Sequence, residues 1–106
     1  MMDAAKQARL EAQGWKVGSV EEFLELTPEE SMLIEIKLAL ASNLRRRRRS
    51  QMTQAQLAQK IESSQPRVAR AEQGDQSVSF DLLLRAMLAT GATPQEIGQV
   101  IAGVAA

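Results

Sequence analysis

Four hydroxyl residues, Ser19, Thr27, Thr53 and Thr93, each stand three residues ahead of a glutamate or glutamine: Glu22, Glu30, Gln56 and Glu96. A helix N-terminus needs that spacing. The hydroxyl accepts from an orphan backbone N–H, and the side chain three residues on reaches back to the N–H of the cap. Pro28 and Pro94 follow two of these threonines, in a first turn where a missing N–H is no loss. The repeated start signal cuts the chain into short helices and predicts an all-α fold. Helices are expected over 3–13, 20–26, 28–48, 53–61, 65–73, 80–90 and 94–103, with a break at 14–18. Gly74 and Gly91 fall just past two helix ends, where a left-handed cap is wanted. The aromatic residues are Trp15, Phe23 and Phe80 alone, so the core must be aliphatic, which suits helices better than a sheet.

At 106 residues the chain is one domain with a short extension. The boundary is expected between a helical extension, 1–27, and a domain of about five helices, 28–106. The chain has no cysteine and no histidine. That removes disulfides, the thiolate metal sites, and the commonest general base and metal ligand. No enzyme, cofactor or metal site is expected. No apolar run reaches the roughly 18 residues of a membrane span, and the first residues lack a charged-then-apolar export pattern. The expected location is the cytoplasm, on the nucleoid when DNA is bound.

Formal net charge is zero, yet the charges are sorted along the chain. Residues 45–70 carry eight basic side chains and one acidic one, whereas 1–44 carry four basic and eight acidic. A basic segment of this kind is what a polyanion needs.

Residues 52–74 hold two short capped segments joined by about three residues. Leu57, Ala58 and Ile61 make the inner face of the first; Val68 and Ala71 make that of the second. Ala58 is small where two helices would cross closely. This is a helix-turn-helix pattern. Thr53-Gln54, Leu57-Ala58, Ile61, Ser64, Val68, Arg70, Glu72 and Gly74, followed by a helix from Ser79 to Gly91, resemble the XRE family of lambda-repressor-like DNA-binding domains over roughly residues 30–91. The resemblance implies that the helix starting near Ser64 lies in the major groove of an operator. The spelling Ser63-Ser64-Gln65-Pro66-Arg67-Val68-Ala69, with Gly74-Asp75, Val78-Ser79 and Asp81-Leu82-Leu83, is also similar to HigA-type antitoxins. Gly14 to Gly18 ahead of the domain adds to that likeness. It implies an autorepressor that binds a small toxin protein. A regulator without a toxin, or an interaction module that has lost DNA binding, stays open at this point.

Two residues depart from the family. Glu62 stands at the turn where the family has glycine, and Pro66 stands inside the second helix, tolerated there because Ser64 would cap it.

Gln65, Arg67 and Arg70 are candidates for reading bases, glutamine on adenine and arginine on guanine. Pro66 offers apolar contact only. Ser64 is the N-cap. Thr53 and Gln54 open the first motif helix beside a phosphate. Gln73 and Ser77 are candidate backbone contacts, although Ser77 or Ser79 could instead cap the next helix. Arg45 to Arg49 cannot all face DNA, because five successive residues surround a helix. Arg47 and Arg48 are the candidates from that run, and the family resemblance implies that one arginine of the run pairs with Glu72 in a structural salt bridge. The long helix shows two apolar stripes, one of Met32, Leu33, Ile36, Leu40 and Leu44, the other of Ile34, Leu38 and Ala41; the second needs cover from the N-terminal extension, where Trp15 and Phe23 are placed, or from a partner. Ile97, Val100, Ile101 and Val104 form a last stripe, read as a homodimer contact.

Overall fold

The computed structural model describes the backbone of residues 25–105 and the side chains of 25–104. Expected features at 1–24 lie outside the described residues. That covers the helix at 3–13, the break at 14–18, the Ser19 cap, most of the helix at 20–26, and the placement of Trp15 and Phe23. The end of the expected 20–26 helix is not helical: Glu25 is a turn residue with φ +56° and Leu26 has no helical assignment.

Among the described residues there are five helices: α1 (Pro28–Arg49), α2 (Gln54–Lys60), α3 (Gln65–Glu72), α4 (Phe80–Ala89) and α5 (Pro94–Ala105). The fold is all-α, as the capping pattern requires. The three threonine N-caps among the described residues form as spelled. Thr27 Oγ1 accepts from Glu30 N–H at 3.0 Å and Glu30 answers the Thr27 N–H at 2.9 Å. Thr53 with Gln56 and Thr93 with Glu96 repeat the same reciprocal pair. Ser64 caps α3, which lets Pro66 sit harmlessly in its first turn. Ser79, not Ser77, caps α4. Gly74 and Gly91 take φ +71° and +94°.

By packing, the chain divides into units Met1–Leu33 and Ile34–Ala106. The second unit has its own core. Leu40, Leu44, Leu57, Val68, Leu83 and Met87 are its largest fully buried side chains. α2 packs chiefly on α3 and, less, on α4, with Ala58 and Ala71 buried at 4% and 1% exposure, small enough to keep those helices close. The two stripes expected on α1 do not stay apart: Ala41 joins Leu40 and Leu44 in the core, while Leu38 is 48% exposed. A helix face is about a third of a turn wide or more, so Ala41, next to Leu40, still reaches inward.

Glu62 takes φ +55° in the α2–α3 turn, the left-handed backbone that glycine adopts freely. Its side chain is exposed, so nothing offsets the strain. Glu62→Gly is expected to raise stability by up to about 1 kcal/mol, read as a higher urea midpoint at unchanged slope. An unchanged or lower midpoint would mean that the added freedom of the unfolded chain cancels the relief.

Candidate nucleic-acid interface

The first side chains of α2 and α3 are both glutamines, and they bond to one another. Gln65 Nε2 donates to Gln54 Oε1 at 2.6 Å. Gln54 Nε2 in turn donates to Glu72 Oε1 at 3.0 Å. Glu72, 7% exposed at the end of α3, is gripped from the other side by Arg48, whose Nε reaches Oε2 at 2.6 Å and whose Nη2 reaches Oε1 at 2.8 Å. Arg48 Nη1 also donates to the Met52 carbonyl at 3.2 Å. A chain of hydrogen bonds thus runs from α1 through Glu72 and Gln54 to Gln65. Burial pushes the Glu72 carboxyl up, but the hydrogen bonds from Arg48 and Gln54, with the charges of Arg48 and Arg45, outweigh it and hold the group below the usual carboxylate range.

The expected pairing of one arginine with Glu72 falls to Arg48, which gives three of its five N–H donors to Glu72 and the Met52 carbonyl. Arg47 is tied down as well: its Nε donates to Asn43 at 3.1 Å and its Nη2 pairs with Glu96 at 3.0 Å. Both are half-buried, with acidic or amide partners from α1, α3 and α5 within reach. Arg45, Arg46 and Arg49 are the exposed members of the run.

On α3, Gln65, Pro66, Arg67 and Arg70 are all exposed. Val68 and Ala71 are buried beneath them, as the spacing requires. Ser64 Oγ is occupied as the cap, accepting from Arg67 N–H at 3.3 Å. Gln73 is exposed at the end of α3.

The loop after α3 is pinned from below. Lys37, 6% exposed on α1, donates from Nζ to the Val78 carbonyl. Its ammonium also lies 5.1 Å from the centre of the Phe80 ring, a cation–π contact. Sequence reasoning missed Lys37, since its partners lie some forty residues downstream. Within the loop the Ser77 N–H donates to Asp75 Oδ1 at 2.7 Å. The backbone and then the side chain of Ser77, with the charges of Arg70 and Lys37, hold the Asp75 carboxyl below its ordinary range. A full negative charge therefore sits beside Ser77.

The stripe on α5 divides. Ile97 is 9% exposed and belongs to the core, and Val100 and Ile101 pack partly against it. The first apolar turn of α5 thus closes the edge of the core, and Val100, Ile101 and Val104 are the half-buried members of the stripe.

Two short capped helices in close contact, the second showing glutamine and arginine outward, define a helix-turn-helix DNA-binding protein of the XRE-like class. Residues 39–99 match the family model described as a helix-turn-helix domain, and the chain belongs to that family. No curated protein and no solved structure matches the chain. No helix among the described residues is long and apolar enough to cross a membrane.

Proposed function

We propose that the protein is a sequence-specific transcriptional regulator that reads adenine through Gln65 and represses its own operon. The hydrogen bond from Gln65 to Gln54 carries this reading. It uses one Gln65 amide hydrogen and leaves the second hydrogen and the carbonyl oxygen without a protein hydrogen bond among the described residues. Adenine presents an acceptor at N7 and a donor at N6 in the major groove, the complement of that pair. Gln54 and Glu72 hold the carboxamide before DNA arrives, which lowers the entropy lost on binding. Arg67 and Arg70 supply the remaining donors on the same exposed face. Thr53, Gln54 and Gln73 lie at the helix ends that flank it, where backbone phosphates run.

The regulator acts as a homodimer on two half-sites about one DNA turn apart. Val100, Ile101 and Val104 on α5, all half-buried in the single chain, supply the contact. The likeness of residues 63–69 and 74–83 to HigA-type antitoxins extends the reading to an antitoxin bound by a small toxin. No catalysis is proposed, and no cofactor.

Fluorescence anisotropy against the duplex upstream of the gene, beside a scrambled duplex of the same composition, tests the reading. The upstream duplex should bind tighter, with two chains per duplex. Gln65→Ala should cost ~1–3 kcal/mol, roughly 5- to 150-fold, on the upstream duplex alone. Equal binding of both duplexes by the parent chain would refute sequence reading.

A further inference from the structure

Arg45 and Arg49 are one helical turn apart at the end of α1, and both are exposed. They line a cleft of about 360 Å³ together with Arg48, Gln54, Glu72 and Gln73. The carboxylate of Glu72 feels the charge of Arg45 but forms an ion pair with neither arginine. Its oxygens already take two bonds from Arg48 and one from Gln54. None of the three ion pairs among the described residues includes Arg45 or Arg49. Like charges at this spacing repel along a helix, and the C-terminal end of the helix dipole offsets only part of that. An anion between them would relieve the repulsion.

The position of the cleft says which anion. Arg48, Arg49 and Gln54 also line a neighbouring open cleft that contains Thr53 and Gln65. The arginine pair is therefore continuous with the surface that reads DNA. We propose that Arg45 and Arg49 form a second phosphate-binding site, which takes the phosphodiester backbone of the same duplex outside the bases read by α3. The proposal rests on the DNA-binding reading and adds a contact that carries affinity without sequence choice. Gln73, at the rim, can donate to the same backbone segment.

The test is the salt dependence of binding by the full chain and by Arg45→Gln/Arg49→Gln. Both positions are exposed, so the variant should keep the far-UV spectrum and the thermal midpoint of the parent. Affinities are measured by anisotropy on the upstream and scrambled duplexes between 50 and 200 mM salt, a range over which phosphate contacts dominate. Two lost phosphate contacts lower the slope of log K against log salt by about 1.8. That drop is expected on both duplexes, with their affinity ratio unchanged. Arg85→Gln, which removes a charge already paired with Asp81, should leave the slope as it is. An unchanged slope in the double variant would overturn the site and point to an acidic protein as the occupant. A collapse of the affinity ratio would also overturn it, since the arginines would then be reading bases. If the parent binds both duplexes equally, the sequence-reading proposal falls, while the slope difference still decides the phosphate site.

Discussion

Glu72→Ala lowers the thermal midpoint by roughly 12–24 °C, one of the two largest single-residue effects expected in this chain. Removing one partner of a buried ion pair costs about 3 kcal/mol or more, because the other charge is left without compensation. A domain of this size loses about 4–8 °C per kcal/mol. The stranded group is Arg48, whose side chain is only 12% exposed and whose guanidinium gives two of its bonds to Glu72. The pair also makes stability depend on pH. The Glu72 carboxyl is held below its ordinary value in the folded chain, so the unfolded chain binds the proton first as pH falls. Its contribution is fully present above the ordinary carboxylate value and disappears as pH drops through the lower folded value. Glu72→Ala should flatten that part of the acid limb. A double variant, Arg48→Met with Glu72→Leu, separates stability from function. Apolar replacement of a buried pair is often neutral or better, so the midpoint should return. Preference for the upstream duplex should not return, because Gln54 has lost its acceptor and no longer steadies Gln65. Thermal scans from pH 3 to 7 and anisotropy on both duplexes read the two effects apart. Recovery of both would show that Glu72 matters only for folding.

The same residues show what a sequence can tell. Caps were legible because their chemistry is local: Thr27, Thr53 and Thr93 find their partners three residues away. Gly74 and Gly91 were legible for the same reason, as was the tolerance of Pro66 behind Ser64. The choice among Arg45 to Arg49 was not legible. Five guanidinium groups in a row face every direction, and their long side chains are assigned by whatever acid approaches. Glu72 took Arg48 and Glu96 took Arg47; those acids lie on α3 and α5, and their approach is a property of the assembled fold. Lys37 is a sharper case. A lysine between Ile36 and Leu38 reads as solvated, yet a carbonyl from a distant loop and the ring of Phe80 at the start of α4 cover it. The bond between Gln54 and Gln65 joins residues eleven apart and needs the α2–α3 geometry before it has meaning. The apolar stripe on α5 was legible only in part, for a related reason. Periodicity identifies an apolar face but not the surface it meets, and Ile97 meets its own core.

Leu57→Ala is the second large effect, and it probes the joint on which the reading face depends. Leu57 is fully buried on α2, the helix that packs chiefly on α3. Leu-to-Ala changes at such sites cost about 2–5 kcal/mol, the lost transfer energy plus the void left behind. Native domains hold about 5–15 kcal/mol in all, so the variant should keep only a fraction of the parent's stability. Leu88→Ala is the matched control: at 51% exposure the same atoms are removed with little lost burial, and the change should stay within about 0.5 kcal/mol. Urea denaturation followed by circular dichroism gives both values. DNA binding then distinguishes two ways in which the void could act. If α2 and α3 keep their crossing, the folded variant binds the upstream duplex as the parent does once the folded fraction is counted. If the helices close on the void, Gln54 and Gln65 shift against each other, and the preference for the upstream duplex falls even where the protein is fully folded. The second outcome is expected. Ala58 and Ala71 already allow close approach, and the bond between the glutamines spans the interface that would collapse.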